Sequence, residues 1–175
     1  ARSGKSAHAL SLALRREGKR AFIATAEAFD DEMRERIETH RRERGGAFLT
    51  AEEPLDPARA LRSLPGDVTV ALVDCLTVWL ANLWSEHRDC PPAEIERLAF
   101  EQIDAVSAAA AGGTVILVSN EVGGGIVPET AVGRGFRDLQ GLLNQRAAAA
   151  ADRVFLTVAG IPLQIKPGSR VEAAR

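Results

Sequence analysis

Residues 1–6 read Ala1-Arg2-Ser3-Gly4-Lys5-Ser6, and the last three decide how the rest of the chain is read. Gly-Lys-Ser closes the phosphate-binding loop G-x-x-x-x-G-K-S/T, whose backbone N–H groups cradle a polyphosphate. In such a loop Lys5 reaches the β- and γ-phosphates and the Ser6 hydroxyl holds Mg²⁺, while Ala1, Arg2, Ser3 and Gly4 form the turn before them. A helix over Lys5–Glu17, stopped by Gly18, aims its positive dipole end at the same anion. The motif's opening glycine falls two positions before Ala1. The chain is therefore read as beginning inside its nucleotide loop, without the strand that leads into it. Three residues are a small part of a motif, and a surface turn ahead of a helix accounts for them equally well.

Working outward, apolar runs alternate with helical stretches. Strands are expected at Arg20–Thr25, Ala47–Thr50, Val68–Val73, Thr114–Ser119, Arg153–Val158 and Leu163–Lys166, the last two joined by a turn at Gly160-Ile161-Pro162. Helices are expected at 31–44 behind an Asp30 cap, from Asp56-Pro57 to Leu64, at Thr77–Trp84, at Ala93–Ala111 and from Gly133 to Ala151. Continuous apolar strands between helices imply an α/β domain with a mainly parallel sheet, and ligands in such sheets sit at the carboxyl ends of the strands. No repeat and no long linker divides the 175 residues, so one domain spanning 1–175 is expected.

Composition narrows the function. A net charge of -2 excludes broad electrostatic capture of nucleic acid, so any polyphosphate must be gripped locally. Two cysteines without metal spacing fit free thiols in a reducing compartment, and no apolar run is long enough to span a membrane; the cytoplasm is the expected location.

Four places could carry chemistry. Asp74, at the end of its strand, fits a Mg²⁺-holding carboxylate of a nucleotide enzyme, or equally a cap for the helix that begins at Leu76. His40 shares a helix face with Met33 and Ile37, amid Arg36, Arg41, Arg42 and Arg44. Those arginines would keep the ring neutral and nucleophilic while attracting phosphate, or would merely pair with Glu35, Glu38 and Glu43 on a solvated face. Asn120–Pro128, with three consecutive glycines at the ligand edge, is expected to contact substrate. The 77–84 segment with Trp79 reads as core, as an oligomer contact or as a docking face. His8 and His87 receive no role.

Taken together, several stretches resemble one family: ARSGKS at 1–6, IATAEAFDDEMRERIETHR at 23–41, TAEEP at 50–54, VDCLTVWLANL at 73–83, and SNEVGGGIVPE…RGFRDLQGLLNQRAAAAAD across 119–152. They resemble the bifunctional adenosylcobinamide kinase / adenosylcobinamide-phosphate guanylyltransferase family of cobalamin biosynthesis. The resemblance implies a RecA-like P-loop fold, nucleotide contacts at Ala1–Ser6, Ala24, Thr25, Ala26, Arg41, Arg42, Glu43, Arg44, Glu52 and Asp74, and a homo-oligomer. It matches His40 to the family's guanylylated histidine. By that resemblance, ATP or GTP phosphorylates adenosylcobinamide. His40 then takes GMP from GTP and passes it to adenosylcobinamide phosphate, giving adenosylcobinamide-GDP. The family's first strand is absent here, so two neighbouring strands are expected to be left with open edges and the chain as written to be a poor enzyme. Another P-loop small-molecule kinase without the histidine step, or a non-catalytic GTP-binding module, are the competing readings.

Overall fold

A computed structural model describes residues 2–26 and 45–166 of the chain. Four strands, β1 (Lys19–Ala24), β2 (Leu49–Glu52), β3 (Val68–Asp74) and β4 (Thr114–Val118), form a wholly parallel sheet in the order β2-β1-β3-β4. Helices α1 (Lys5–Leu14), α2 (Pro57–Arg62), α3 (Leu76–Glu86), α4 (Pro92–Ala109) and α5 (Ala131–Ala150) surround it. A separate antiparallel hairpin, β5 (Val154–Val158) and β6 (Ile161–Lys166), closes the described chain. The α/β class and parallel sheet expected from the alternating pattern are present.

Period-two alternation sorts the sheet's side chains into two cores. Phe22, Ala24, Val70 and Leu72 pack with Ala9 and Ala13 of α1 on one face. Ile23, Ala71 and Val73 pack with Ala58 and Leu61 of α2 and Val106 of α4 on the other. A third cluster joins α3, α4 and α5 through Leu76, Trp79, Leu80, Ile95, Ile103 and Leu143. Trp79 is 0 % exposed and donates its indole N–H to the Leu55 carbonyl at 2.9 Å. Of its three readings, core is the one realised.

The element ends differ from the sequence expectation where side chains or register intervene. Helix α1 stops at Leu14, and the Arg20 guanidinium reaches back to the carbonyls of Ala13, Leu14 and Arg16. That guanidinium satisfies carbonyls that a longer helix would have paired. Residues 45–47 form a single 3-10 turn, and β2 starts two residues later than expected, in register with Ala21–Ala24. The closing hairpin turns at Ala159-Gly160, both at positive φ, rather than at Gly160–Pro162. Two successive left-handed residues suit the twist of a tight hairpin, and Pro162 is accommodated within β6.

Register gathers the strand ends. Ala24 lies opposite both Glu52 and Asp74, and Asp74 lies opposite Val118. The candidate residues of four strands therefore share one edge.

Candidate active site

The loop before α1 has the turn geometry of an anion-binding concavity. Arg2 and Gly4 both adopt positive φ, 52° and 92°, so successive N–H groups turn into a concavity. A Cβ on Gly4 would sit 3.1 Å from the Gly160 Cα, and the Gly160 N–H donates to the Ser3 carbonyl at 2.9 Å. The hairpin turn thus backs the loop, and only glycine meets both the dihedral and the space. No side chain caps α1 and its first turn has no acidic residue. The N–H groups at its start remain available.

Lys5 and Ser6 open α1 half-buried, and Asp74 is half-buried at the end of β3. None of their side chains has a hydrogen bond or ion pair among the described residues. Burial pushes the Cys75 thiol up against opposing N–H groups of Val78 and Thr77; the Asp74 charge adds to the rise and the Lys5 charge opposes it. Asp74 closes β3, and α1, which Lys5 opens, packs through Ala9 and Ala13 on Val70 and Leu72 of the same strand. The alternative of Asp74 as a cap is not realised: Cys75 is the N-cap of α3, and no side chain caps that helix.

Thr25 is 0 % exposed and fully engaged. Its hydroxyl accepts from the Cys75 N–H at 2.8 Å and donates to the Cys75 carbonyl at 2.9 Å. Its own N–H donates to the Asp74 carbonyl at 3.3 Å, and its carbonyl accepts from the Asn82 amide at 2.8 Å. Asn82 also donates to the Pro54 carbonyl at 3.2 Å. Thr25 and Asn82 form a buried brace that fixes the Asp74-Cys75 backbone against the ends of β1 and β2. Ala24 is buried, Ala26 half-buried beside the brace, and Glu52 exposed at the end of β2.

Glu53 shapes the next turn. Burial alone would raise its carboxyl, but the Asp56 N–H, the Arg59 guanidinium and the Leu55 N–H outweigh that and hold it below its ordinary value. Asp56 caps α2 by accepting from the Arg59 N–H at 2.8 Å.

A second polar system follows β4. The Asn120 N–H and side-chain amide donate to the Thr77 hydroxyl at 3.1 and 3.0 Å. Ser119 donates to the Asn144 carbonyl oxygen at 2.6 Å, and the 0 %-exposed Gln140 donates to Ser119 and to Asn144 at 3.1 and 2.9 Å. Asn144 in turn donates to the Asn120 carbonyl at 3.0 Å and to the Glu121 carboxylate at 2.8 Å. Further along, Arg137 holds the Gly123 and Gly125 carbonyls, and Arg134 those of Pro128 and Glu129. An open groove of about 350 Å³ runs beside this loop, lined by Gly123, Arg137, Asp138, Gly141, Leu142 and Gln145.

Ala1, His40, Arg41, Arg42, Glu43 and Arg44 lie outside the described residues. Among the described residues no cluster of three His, Cys, Asp or Glu side chains could hold a metal ion, and no helix is long and apolar enough to cross a membrane. Sequence reasoning passed over Asn82, Gln140 and Asn144. An Asn inside the apolar run Trp79–Trp84 was the available signal for the first, and polar residues spaced by four on an Ala-rich helix for the others.

A parallel α/β sheet, a Gly-Lys-Ser helix start and a strand-end aspartate together define a P-loop nucleotide-using enzyme. Comparison with known proteins narrows this class. The family described as cobinamide kinase / cobinamide phosphate guanyltransferase matches residues 1–165. The chain is 41 % identical over 176 aligned positions to the bifunctional adenosylcobalamin biosynthesis protein CobU of Escherichia coli K12, covering 95 % of this chain and 96 % of the relative. Against the Salmonella typhimurium protein of the same name it is 40 % identical, with the same coverage of each chain. Against the bifunctional adenosylcobalamin biosynthesis protein CobP of Pseudomonas aeruginosa it is 42 % identical, covering 95 % of this chain and 93 % of the relative. The chain belongs to the cobinamide kinase / cobinamide phosphate guanyltransferase family. Its reactions are those of that family, phosphorylation of cobinamide and guanylyl transfer to cobinamide phosphate in cobalamin biosynthesis, and its nucleotide substrates are ATP or GTP.

Proposed function

We propose that both reactions run at the edge where Lys5, Ser6 and Asp74 converge, and that the guanylyl transfer passes through a GMP adduct on His40. The observation that supports this reading is the set of three polar side chains without a partner among the described residues, beside an anion-shaped loop. A lysine and an aspartate so placed are normally paired in a structure evolved for stability alone.

In the kinase step Lys5 lies against the β/γ-phosphates and spreads the charge developing on the transferred group. Oxygen donors suit Mg²⁺: the Ser6 hydroxyl and Asp74 carboxylate would hold it, and when bound it would supply electrostatic screening of the phosphates. Thr25 takes part by fixing the Asp74 backbone. Ala26, Glu52 and the segment at 41–44 would contact the rest of the nucleotide, and the loop at 120–128 with its groove the corrinoid. In the second step the neutral His40 ring attacks the α-phosphorus of GTP as pyrophosphate leaves; the phosphate of adenosylcobinamide phosphate then takes the GMP. The protein works in the cytoplasm as a homo-oligomer of single-domain chains in this reading.

Incubation with α-labelled GTP tests it. Acid-labile, alkali-stable label should remain on the wild-type protein and vanish in His40→Ala, while phosphorylation of cobinamide persists. Label that survives His40→Ala would move the adduct elsewhere; no label at all would leave a kinase without the histidine step.

A further inference from the structure

We propose that Glu121 is the general base of the phosphorylation step, the group that takes the proton from the hydroxyl of the accepting substrate. This assignment rests on the kinase activity stated above and adds a residue to it.

The buried Gln140 donates to Ser119 and Asn144, Ser119 donates to Asn144, and Asn144 donates forward to the Asn120 carbonyl and Glu121. The series ends on one oxygen of an exposed carboxylate. Its other oxygen has no partner among the described residues. The arrangement is kept although the Gln140 carbonyl oxygen is buried without a partner. A solvated glutamate needs no such support, whereas a base must be held at a fixed angle to the proton it removes.

Position agrees. Asn120 is tied to Thr77, three residues after Asp74 on the helix that starts at the same strand end, so Glu121 is anchored to the edge carrying Asp74. Glu53, in the turn after β2, has both carboxylate oxygens committed to Leu55, Asp56 and Arg59. Glu121 also stands two residues before Gly123, which lines the groove. In the step itself the hydroxyl oxygen forms its bond to the γ-phosphorus, the bond from that phosphorus to the nucleoside diphosphate breaks, and the hydroxyl proton passes to the free Glu121 oxygen and on to water.

The test is Glu121→Gln in the full chain, with phosphorylation of cobinamide and guanylyl transfer to preformed cobinamide phosphate assayed separately. The kinase kcat should fall by about 100-fold or more. The KM for ATP and the guanylyl transfer should stay within about twofold. Asn144→Ala, which removes the bond that holds the carboxylate in place, should lower the kinase kcat by about tenfold or more while the KM for ATP and the guanylyl transfer stay within about twofold. Retention of wild-type kinase kcat in Glu121→Gln overturns the proposal, as does equal loss of both reactions in either variant. If the wild-type chain phosphorylates no cobinamide, the failure lies with the activity assignment itself.

Discussion

Two stretches of the same sheet edge are treated in opposite ways. On the side of α1 and β3, Lys5, Ser6 and Asp74 are half-buried with no partner among the described residues. On the side of β4, Ser119, Asn120, Gln140 and Asn144 are tied to one another and to Thr77 across 21 to 43 residues of chain. An unpaired polar group costs stability and a paired one gives rigidity. In the proposed reading the first side keeps its charges for a ligand, while the second fixes a backbone and presents one carboxylate.

The sharpest way to break that contrast is on the unpaired side. Lys5→Ala should lower the kinase kcat by about 10²–10³-fold, the loss typical for removing a donor aimed at developing charge, with the melting temperature unchanged or raised. A steady-state assay beside a thermal melt reads both. Asp74→Asn comes next. Its apparent Mg²⁺ requirement should rise by at least about tenfold, seen in a Mg²⁺ titration of the kinase rate.

The brace between the two sides answers in stability. Asn82→Leu leaves the Thr25 and Pro54 carbonyls without their donor. The expected cost is about 2 kcal/mol, or some 4–8 °C in Tm for a chain of this length, measured by calorimetry.

How much of this was legible in the sequence depends on the range of the interaction. Gly4-Lys5-Ser6 and Asp74 announce themselves because each is a local pattern, a loop before a helix and an acid closing an apolar strand. Thr25 was marked as a nucleotide contact, but its side chain is committed to Cys75, 50 residues away. The brace and the Gln140–Asn144 system escape because they join residues that only the packing of α3 and α5 brings together. The parallel sheet was readable from its apolar runs; the end of α1 was not, since Arg20 sets it from the neighbouring strand.

A smaller effect is expected at the turn after β2. The Glu53 carboxyl is held below its ordinary value of 4.5 in the folded protein. Its contribution is therefore complete above that value and is lost as pH falls through the lowered one. Acid unfolding followed by circular dichroism should show Glu53→Gln less stable at neutral pH, with the difference shrinking in acid. Smallest of all is the exposed pair Asp104–Arg146 between α4 and α5. Asp104→Ala should cost no more than about 1 kcal/mol by urea titration.

The claim beneath the rest is that the unpartnered trio is reserved for nucleotide, and ligand-induced stabilisation tests it most directly. Saturating Mg·GTP should raise the melting temperature of the wild-type chain, by the amount its affinity dictates. Lys5→Ala and Asp74→Asn should be as stable as wild type without nucleotide and gain little with it. Equal gains in all three proteins would contradict the account.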